Sequence, residues 1–205
     1  MDRVTDTHVF FWGTEFSNWH KSRFEHKHMS FHNAEQAYMW EKADYFGDIA
    51  TSERILKKSS PKACKALGRM VSGFNDEEWD EVKFAKMVSV NLAKWSSTEE
   101  LRKLLLSTGS KTLVEASPYD KIWGIGLHWK DQDVLDEGKW RGQNLLGKAL
   151  MVVRDNLRAF GDDRRKIALV AEAIDRSGAT YEVLTMTGNL IDSHTLTQMG
   201  YTAPE

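Results

Sequence analysis

Helix start and stop signals recur so densely between residues 33 and 160 that they leave room for little except a run of short helices. Asn33 with Gln36 three residues on marks an N-terminus, and Gly47 a stop, so a helix is predicted over 34–46. A shorter one is expected over 49–56. Ser60-Pro61, a cap followed by a proline at the first helical position, opens another that is expected to run to about Val71, with Gly73 past its end. Asp76 begins a longer helix, in which Trp79, Val82, Val88, Leu92 and Trp95 share an apolar face. Ser97 and Glu100 form a capping-box pattern before Leu101, Leu104 and Leu105, and Gly109 closes that segment. The last strong helix is predicted over 143–159, with Leu145, Leu146, Leu150, Val153 and Leu157 inward. Against this only Thr112-Leu113-Val114 reads as a short strand. The expected class is mainly α with a few short β-strands, an α+β fold.

Between the helices, residues 120–142 are rich in Gly, Trp, Asp and Lys and read as one long loop. A loop of that length inside a compact domain is usually functional or mobile. Gly161-Asp162-Asp163-Arg164-Arg165 is a charged break, after which the texture changes. A helix over 167–174 and a hairpin from 181–185 to 190–191 across Gly188-Asn189 are expected there. The organisation is read as a domain over 1–160 with a small C-terminal extension over 161–205.

Composition excludes several classes. The 205 residues are 41% hydrophobic and 28% charged, ordinary for a globular chain and contrary to disorder. No apolar run approaches the roughly 20 residues of a membrane span, so no membrane partner is expected. The first residues carry no apolar segment of a secretory leader, and one cysteine, Cys64, permits neither an internal disulfide nor a cysteine-rich zinc site. A reducing, cytoplasmic location is expected. A net charge of −2 disfavours a protein that grips duplex nucleic acid through its phosphates. Eight tryptophans stand out, since indoles often line pockets for flat ligands as well as cores.

The first predicted helix carries the sharpest chemistry. Glu35 and Lys42 are two turns apart and project from nearly the same side, together with Tyr38, Met39 and Phe46. A carboxylate and an amine on an aromatic stripe are costly to bury unless paired or used. They read either as a structural ion pair or as a cleft in which the carboxylate moves protons and the amine is a nucleophile or anion partner. Other signals are weaker. Gly142-Gln143-Asn144-Leu145-Leu146-Gly147-Lys148-Ala149 nearly spells a phosphate-binding loop. It ends in Ala149 where magnesium needs a hydroxyl, and no buried strand precedes it, so that reading is rejected. His26, His28 and His32 read as solvated surface side chains, not a metal site. Cys64 reads as a buried thiol. No cofactor is called for.

Taken in order, the pieces resemble one family. Phe16-Ser17-Asn18-Trp19, Ala34-Glu35-Gln36-Ala37-Tyr38 through Lys42, Ser60-Pro61 leading to Gly68-Arg69, and Trp79 come first. Leu105-Leu106-Ser107-Thr108, Leu113-Val114-Glu115, Asp120-Lys121-Ile122-Trp123-Gly124, and Gly142-Gln143-Asn144-Leu145-Leu146-Gly147 into Leu150-Met151-Val152-Val153-Arg154 follow. This order, over about residues 9–159, resembles the NADAR family, also called YbiA-like N-glycosidases.

The resemblance implies a compact, mainly helical domain that hydrolyses N-glycosidic bonds of ribose-phosphate compounds. The substrate is expected to be either a ribosylated pyrimidine phosphate of early riboflavin synthesis or ADP-ribosylated guanine in nucleic acid. Glu35 matches the family's essential glutamate, and Lys42 a lysine thought to attack the opened ribose as a Schiff base. Around them, Asn18, Trp19, Arg69, Trp79, Glu115, Asp120, Trp123, Gly124 and Asn144 are expected to meet the substrate. Trp19, Trp79 and Trp123 would stack on rings, with core packing the alternative for Trp79 and Trp123. Arg69 would hold phosphate, and Asp120 would accept from hydroxyls. Asn144 either caps a helix or reads a ribose hydroxyl. The rival function is a non-catalytic module binding ADP-ribose or a related nucleotide.

Overall fold

The computed structural model describes residues 2–180. Within them the chain runs β1 (Arg3–Val4), β2 (His8–Phe11), β3 (Phe24–His26), β4 (Met29–Phe31), α1 (Ala34–Tyr45), α2 (Ile49–Leu56), α3 (Pro61–Gly68), α4 (Asp76–Ser96), α5 (Glu99–Ser107), β5 (Thr112–Glu115), two short 3-10 turns, α6 (Leu145–Phe160) and α7 (Arg164–Ser177). The architecture is α+β, with seven α-helices among the described residues. None of these helices is long and apolar enough to cross a membrane.

The helix caps follow the sequence in most places. Asn33 and Ser60 accept from Gln36 N and Ala63 N, as side-chain N-caps do. The fifth helix is capped by Thr98, one residue later than expected, because Ser97 still belongs to the end of α4 and bonds Lys94 O. The third helix stops at Gly68 and not near Val71.

The four strands before residue 33 are not foreshadowed by the sequence pattern. They are two to four residues long, too short for a period-2 alternation to show. β1 pairs antiparallel with β2, and β2 pairs parallel with β5, Phe11 opposite Glu115. β3 and β4 form a separate hairpin turned by Lys27 and His28, both at positive φ. All five helices α1–α5 lie in the connection between β2 and β5, so the carboxyl ends of these two strands open toward the same loops.

Helix α1 runs through the middle of the molecule and is buried nearly all round. A helix in that position must satisfy every polar side chain it carries. Gln36, fully buried, accepts from His32 N and donates to the carbonyls of Ile55 and Lys58. Glu41, also fully buried, meets His26, Lys27 (2.9 Å) and Lys86 (3.5 Å). His26 is therefore an interior residue, contrary to its reading as a solvated one, because its imidazole is the nearest partner of a buried carboxylate.

The network reaches further. Asp175 of α7 pairs with Lys27 (2.8 Å) and Lys86 (2.9 Å). The helix expected over 167–174 is real and longer. Its Ile167, Val170, Ala171 and Ile174 join the main core, which α4 and α6 also line. The hairpin expected over 181–191 lies outside the described residues.

Helix α6 lies close against β5, and Gly147 makes this possible. A Cβ there would sit 2.0 Å from the Leu113 carbonyl oxygen. Gly142 is similarly confined, since a Cβ there would sit 2.3 Å from the Gly124 carbonyl oxygen. The glycines that imitated a phosphate loop serve close backbone approach.

Candidate active site

Glu35 stands apart from the other polar residues of α1. It is 6% exposed, in the first turn, and its backbone N–H donates to Asn18 O at 3.0 Å. Among the described residues no cation comes within 4 Å of its carboxylate. Burial pushes its carboxyl up to about 7. Lys65, the Trp19 indole hydrogen bond and Arg69 pull the other way, and Asp120 adds to the rise.

Two further acids converge on it from the β5 end. Glu115, the last residue of β5, is buried, and its Oε2 has no hydrogen-bond partner among the described residues. Burial and then Asp120 push its carboxyl up to about 8, Glu35 adding to this, against Lys65 and Lys94. Asp120 accepts from Ile122 N and Trp123 N through Oδ1, and its Oδ2 lies 3.7 Å from Lys65 Nζ. Three carboxyls thus sense one another's charge around one lysine.

The floor between them is aromatic. Tyr38, one turn after Glu35, packs 5.5 Å from Trp79 and edge-on to Trp123 at 5.3 Å. Its hydroxyl is buried, and burial first, then the charge of Glu35, raises its pKa well above the usual tyrosine value. At the far end, Lys42 Nζ lies 3.5 Å over the Phe74 ring and 6.0 Å from that of Trp79. Burial lowers its amine below the usual lysine value, with Asp76 opposing. Glu35 and Lys42 form no ion pair. They occupy two ends of a strip floored by Tyr38 and Trp79.

The remaining expected residues divide. Trp19 is 45% exposed, and its indole reaches Glu35. Arg69 follows the last residue of α3, exposed, with its charge felt at Glu35. Trp79 is buried and Trp123 half-buried, so each is both core and wall. Gly124 sits where a Cβ would press on the Asp120 and Glu115 carbonyls at 2.9 Å. Asn18 turns its amide inward, toward Met87 Sδ (3.1 Å) and Asn91 (3.3 Å), and offers only its backbone carbonyl to Glu35. Asn144 makes no side-chain cap. At φ 55° its side chain reaches back, accepting from Glu115 N (3.0 Å) and donating to Leu113 O (2.9 Å), so it fixes the end of β5.

Two lysines that no sequence motif singles out complete the surroundings. Lys65 is four residues before Arg69 and so shares its helix face, a spacing that points to it. Lys94 is fully buried and donates to the carbonyls of Glu15 (2.7 Å) and Ser17 (3.0 Å), holding the loop that carries Asn18 and Trp19. Burial draws its amine down to about 7, against Glu15 and Glu115.

The chain is similar to several known proteins. N-glycosidase R617 of Acanthamoeba polyphaga mimivirus is 42% identical over 164 residues, covering 74% of this chain and 96% of R617. Protein irg-1 of Caenorhabditis elegans is 38% identical over 171 residues, covering 74% of this chain and 81% of irg-1. N-glycosidase YbiA of Escherichia coli is 36% identical over 115 residues, 56% of this chain and 65% of YbiA. The NMR structure of YbiA superposes with a TM-score of 0.63 at 30% identity, covering 77% of this chain and 88% of that one. Residues 10–158, which hold Glu35, Lys42, Glu115 and Asp120, match the NADAR domain, and the chain belongs to the NADAR family.

Proposed function

We propose that this protein hydrolyses the C1–N bond of a ribose-phosphate compound, with Glu35 as the proton-transfer group. Membership of a family with relatives named N-glycosidases makes it a hydrolase acting on N-glycosyl bonds. The observation that carries the finer reading is one buried carboxyl, Glu35, with no cation in contact among the described residues and an aromatic strip beside it. Breaking a C1–N bond leaves negative charge on the departing base and positive character on the sugar. With its carboxyl raised to about 7 by burial, Glu35 can hold a proton near neutral pH where an ordinary carboxyl has lost it. It can give that proton to the leaving nitrogen and stay poised to take one back from water.

The other groups fit supporting roles. Asp120 would accept from ribose hydroxyls or steady the sugar's positive character, and Glu115, largely protonated at neutral pH, would exchange a hydrogen bond with a hydroxyl. Lys65 and Arg69 supply cations for a phosphate, Arg69 through a fork that suits its oxygens. The faces of Trp19 and Trp123 would bracket a flat ring, each stacked base contributing about 1–3 kcal/mol.

Lys42 extends the mechanism. Its lowered basicity leaves a fraction of free amine for attack on C1 of the opened ribose. In that route the amine nitrogen bonds to C1, the base departs carrying the proton from Glu35, and water then cleaves the imine to return the amine. Borohydride added during turnover is expected to fix ribose on Lys42 as a peptide mass shift. Absence of an adduct together with an active Lys42→Arg enzyme would remove the lysine from the chemistry.

The substrate is tested by parallel hydrolysis of a ribosylated aminopyrimidine phosphate and of ADP-ribosyl-guanine DNA, read by mass spectrometry. Release of the free base from either is expected, and its loss in Glu35→Gln. Tight binding of ADP-ribose with hydrolysis of neither compound would instead make the protein a non-catalytic binder.

A further inference from the structure

The carboxyl ends of β2 and β5 carry a second feature beside the acid cluster. Trp12 follows the last residue of β2, and Tyr119 immediately precedes Asp120. Their ring centres lie 6.0 Å apart. Trp12 meets His128 edge-on at 5.1 Å, and His128 stacks on Trp129 at 5.3 Å. Lys130 Nζ stands 5.1 Å from the Trp129 ring. Four rings thus make one continuous strip along the rim of the site.

Core packing does not account for it. Of the four rings only Trp129 packs against a core cluster, while Trp12 is 36% and Tyr119 86% exposed. Rings left in water beside a cleft mark a recognition surface more often than a packing one. The backbone that carries the strip is anchored by hydrogen bonds. Tyr119 N donates to Ser117 Oγ, Asp120 Oδ1 accepts from the amides of Ile122 and Trp123, and the Arg3 guanidinium donates to the carbonyls of Trp129 and Asp131.

We propose that Trp12, Tyr119 and His128 form a stacking subsite for a second nucleobase, carried by the substrate beyond the sugar whose C1–N bond is cut. Nucleobases suit this surface because any base presents a π-face, and bare aromatic rings hold such faces without demanding one hydrogen-bond pattern. Tyr119 adjoins Asp120 in the chain, so base and reacting sugar belong to one ligand. A ribose phosphate with a single ring would leave the strip empty, so the subsite selects for a nucleotide-bearing substrate. This deepens the function proposed above and rests on it.

Calorimetric binding of AMP and of ribose 5-phosphate separates the two. Tyr119→Ala and Trp12→Ala are each expected to weaken AMP roughly tenfold and to leave ribose 5-phosphate unchanged, with Tyr119→Phe keeping wild-type affinity. The same alanine variants are expected to raise KM for ADP-ribosyl-guanine DNA by that factor with kcat retained, and to leave the ribosylated aminopyrimidine phosphate unaffected. Tyr119 is so exposed that its replacement should not move the thermal midpoint. AMP that fails to bind the wild type, binds the alanine variants equally well, or weakens in step with ribose 5-phosphate overturns the subsite. The binding arm needs no turnover, so an inactive wild type would sink the proposed reaction and leave the subsite to be decided by AMP.

Discussion

Helix α1 buries two glutamates six residues apart and treats them in opposite ways. Glu41 is fully enclosed with His26, Lys27 and Lys86 around its carboxylate. Burial alone would raise its pKa, but the three partners outweigh burial and bring it down to about 2. Glu35 is almost as enclosed, yet it has one indole hydrogen bond, cations only at a distance and a second carboxylate nearby. It ends near 7. Burial therefore does not fix the charge of an interior acid; the partners the fold brings to it do. One glutamate joins elements together, and the other is left with a proton it can exchange.

Glu35→Gln is the sharpest way to break this contrast. Turnover is expected to fall by about 10²-fold or more, the loss of a positioned proton-transfer group. Stability is expected to move the other way. A folded carboxyl raised to about 7 from 4.5 favours the native state most below the unfolded value, and that contribution disappears as pH rises through 7. Calorimetry at pH 5 and pH 8 should show the variant gaining on the wild type at the higher pH. A Glu35→Gln protein that is clearly less stable than wild type at pH 8 would make Glu35 another structural acid.

Glu41→Gln should do the reverse. Removing one member of a buried charge network costs about 3–5 kcal/mol, a fall in Tm on the order of 10 °C for a chain of this size. The folded carboxyl is lowered to about 2, so its contribution is present above 4.5 and fades as pH falls toward 2. Variant and wild-type melting temperatures should converge in acid. Turnover per folded molecule should change far less than in Glu35→Gln. Asp175→Asn should give a smaller fall in Tm, since both lysines keep Glu41. An Asp175→Asn protein as unstable as Glu41→Gln would shift the centre of the network to α7.

The smallest effect is the pH profile. If Glu35 acts as the acid, kcat/KM should decline above about pH 7. The slope should vanish from the residual activity of Glu35→Gln, and a limb that survives in the variant belongs to another group.

Much of this is legible in the sequence, and the failures have physical causes. Asn33, Ser60-Pro61 and the leucine stripe of α6 announce their helices because caps and periodicity are local properties. Glu35 is visible as a carboxylate on an apolar face. Its partners are not, since the encounter of Glu35 with Lys65 and Asp120 is tertiary. His26 misleads for the same reason: it pairs with a carboxylate on another element, and no local pattern announces that meeting. Asn144 looks like a cap because it precedes a helix, but its left-handed backbone turns the amide onto β5. Gly142 and Gly147 spell a phosphate loop because close backbone approach and phosphate cradling ask for the same residue.

The reach of α7 has a practical side. The match to the NADAR domain stops at residue 158, inside α6, and a fragment trimmed there would look reasonable on sequence grounds. It would strip the cover from the apolar face beneath Ile167, Val170 and Ile174 and take away the aspartate that faces Lys27 and Lys86. The buried Lys86 and the partly exposed Lys27 would then share one carboxylate beside a newly wetted hydrophobic surface. We expect such a fragment to aggregate during expression, and a loss of catalysis measured on it would describe the cut and not the enzyme.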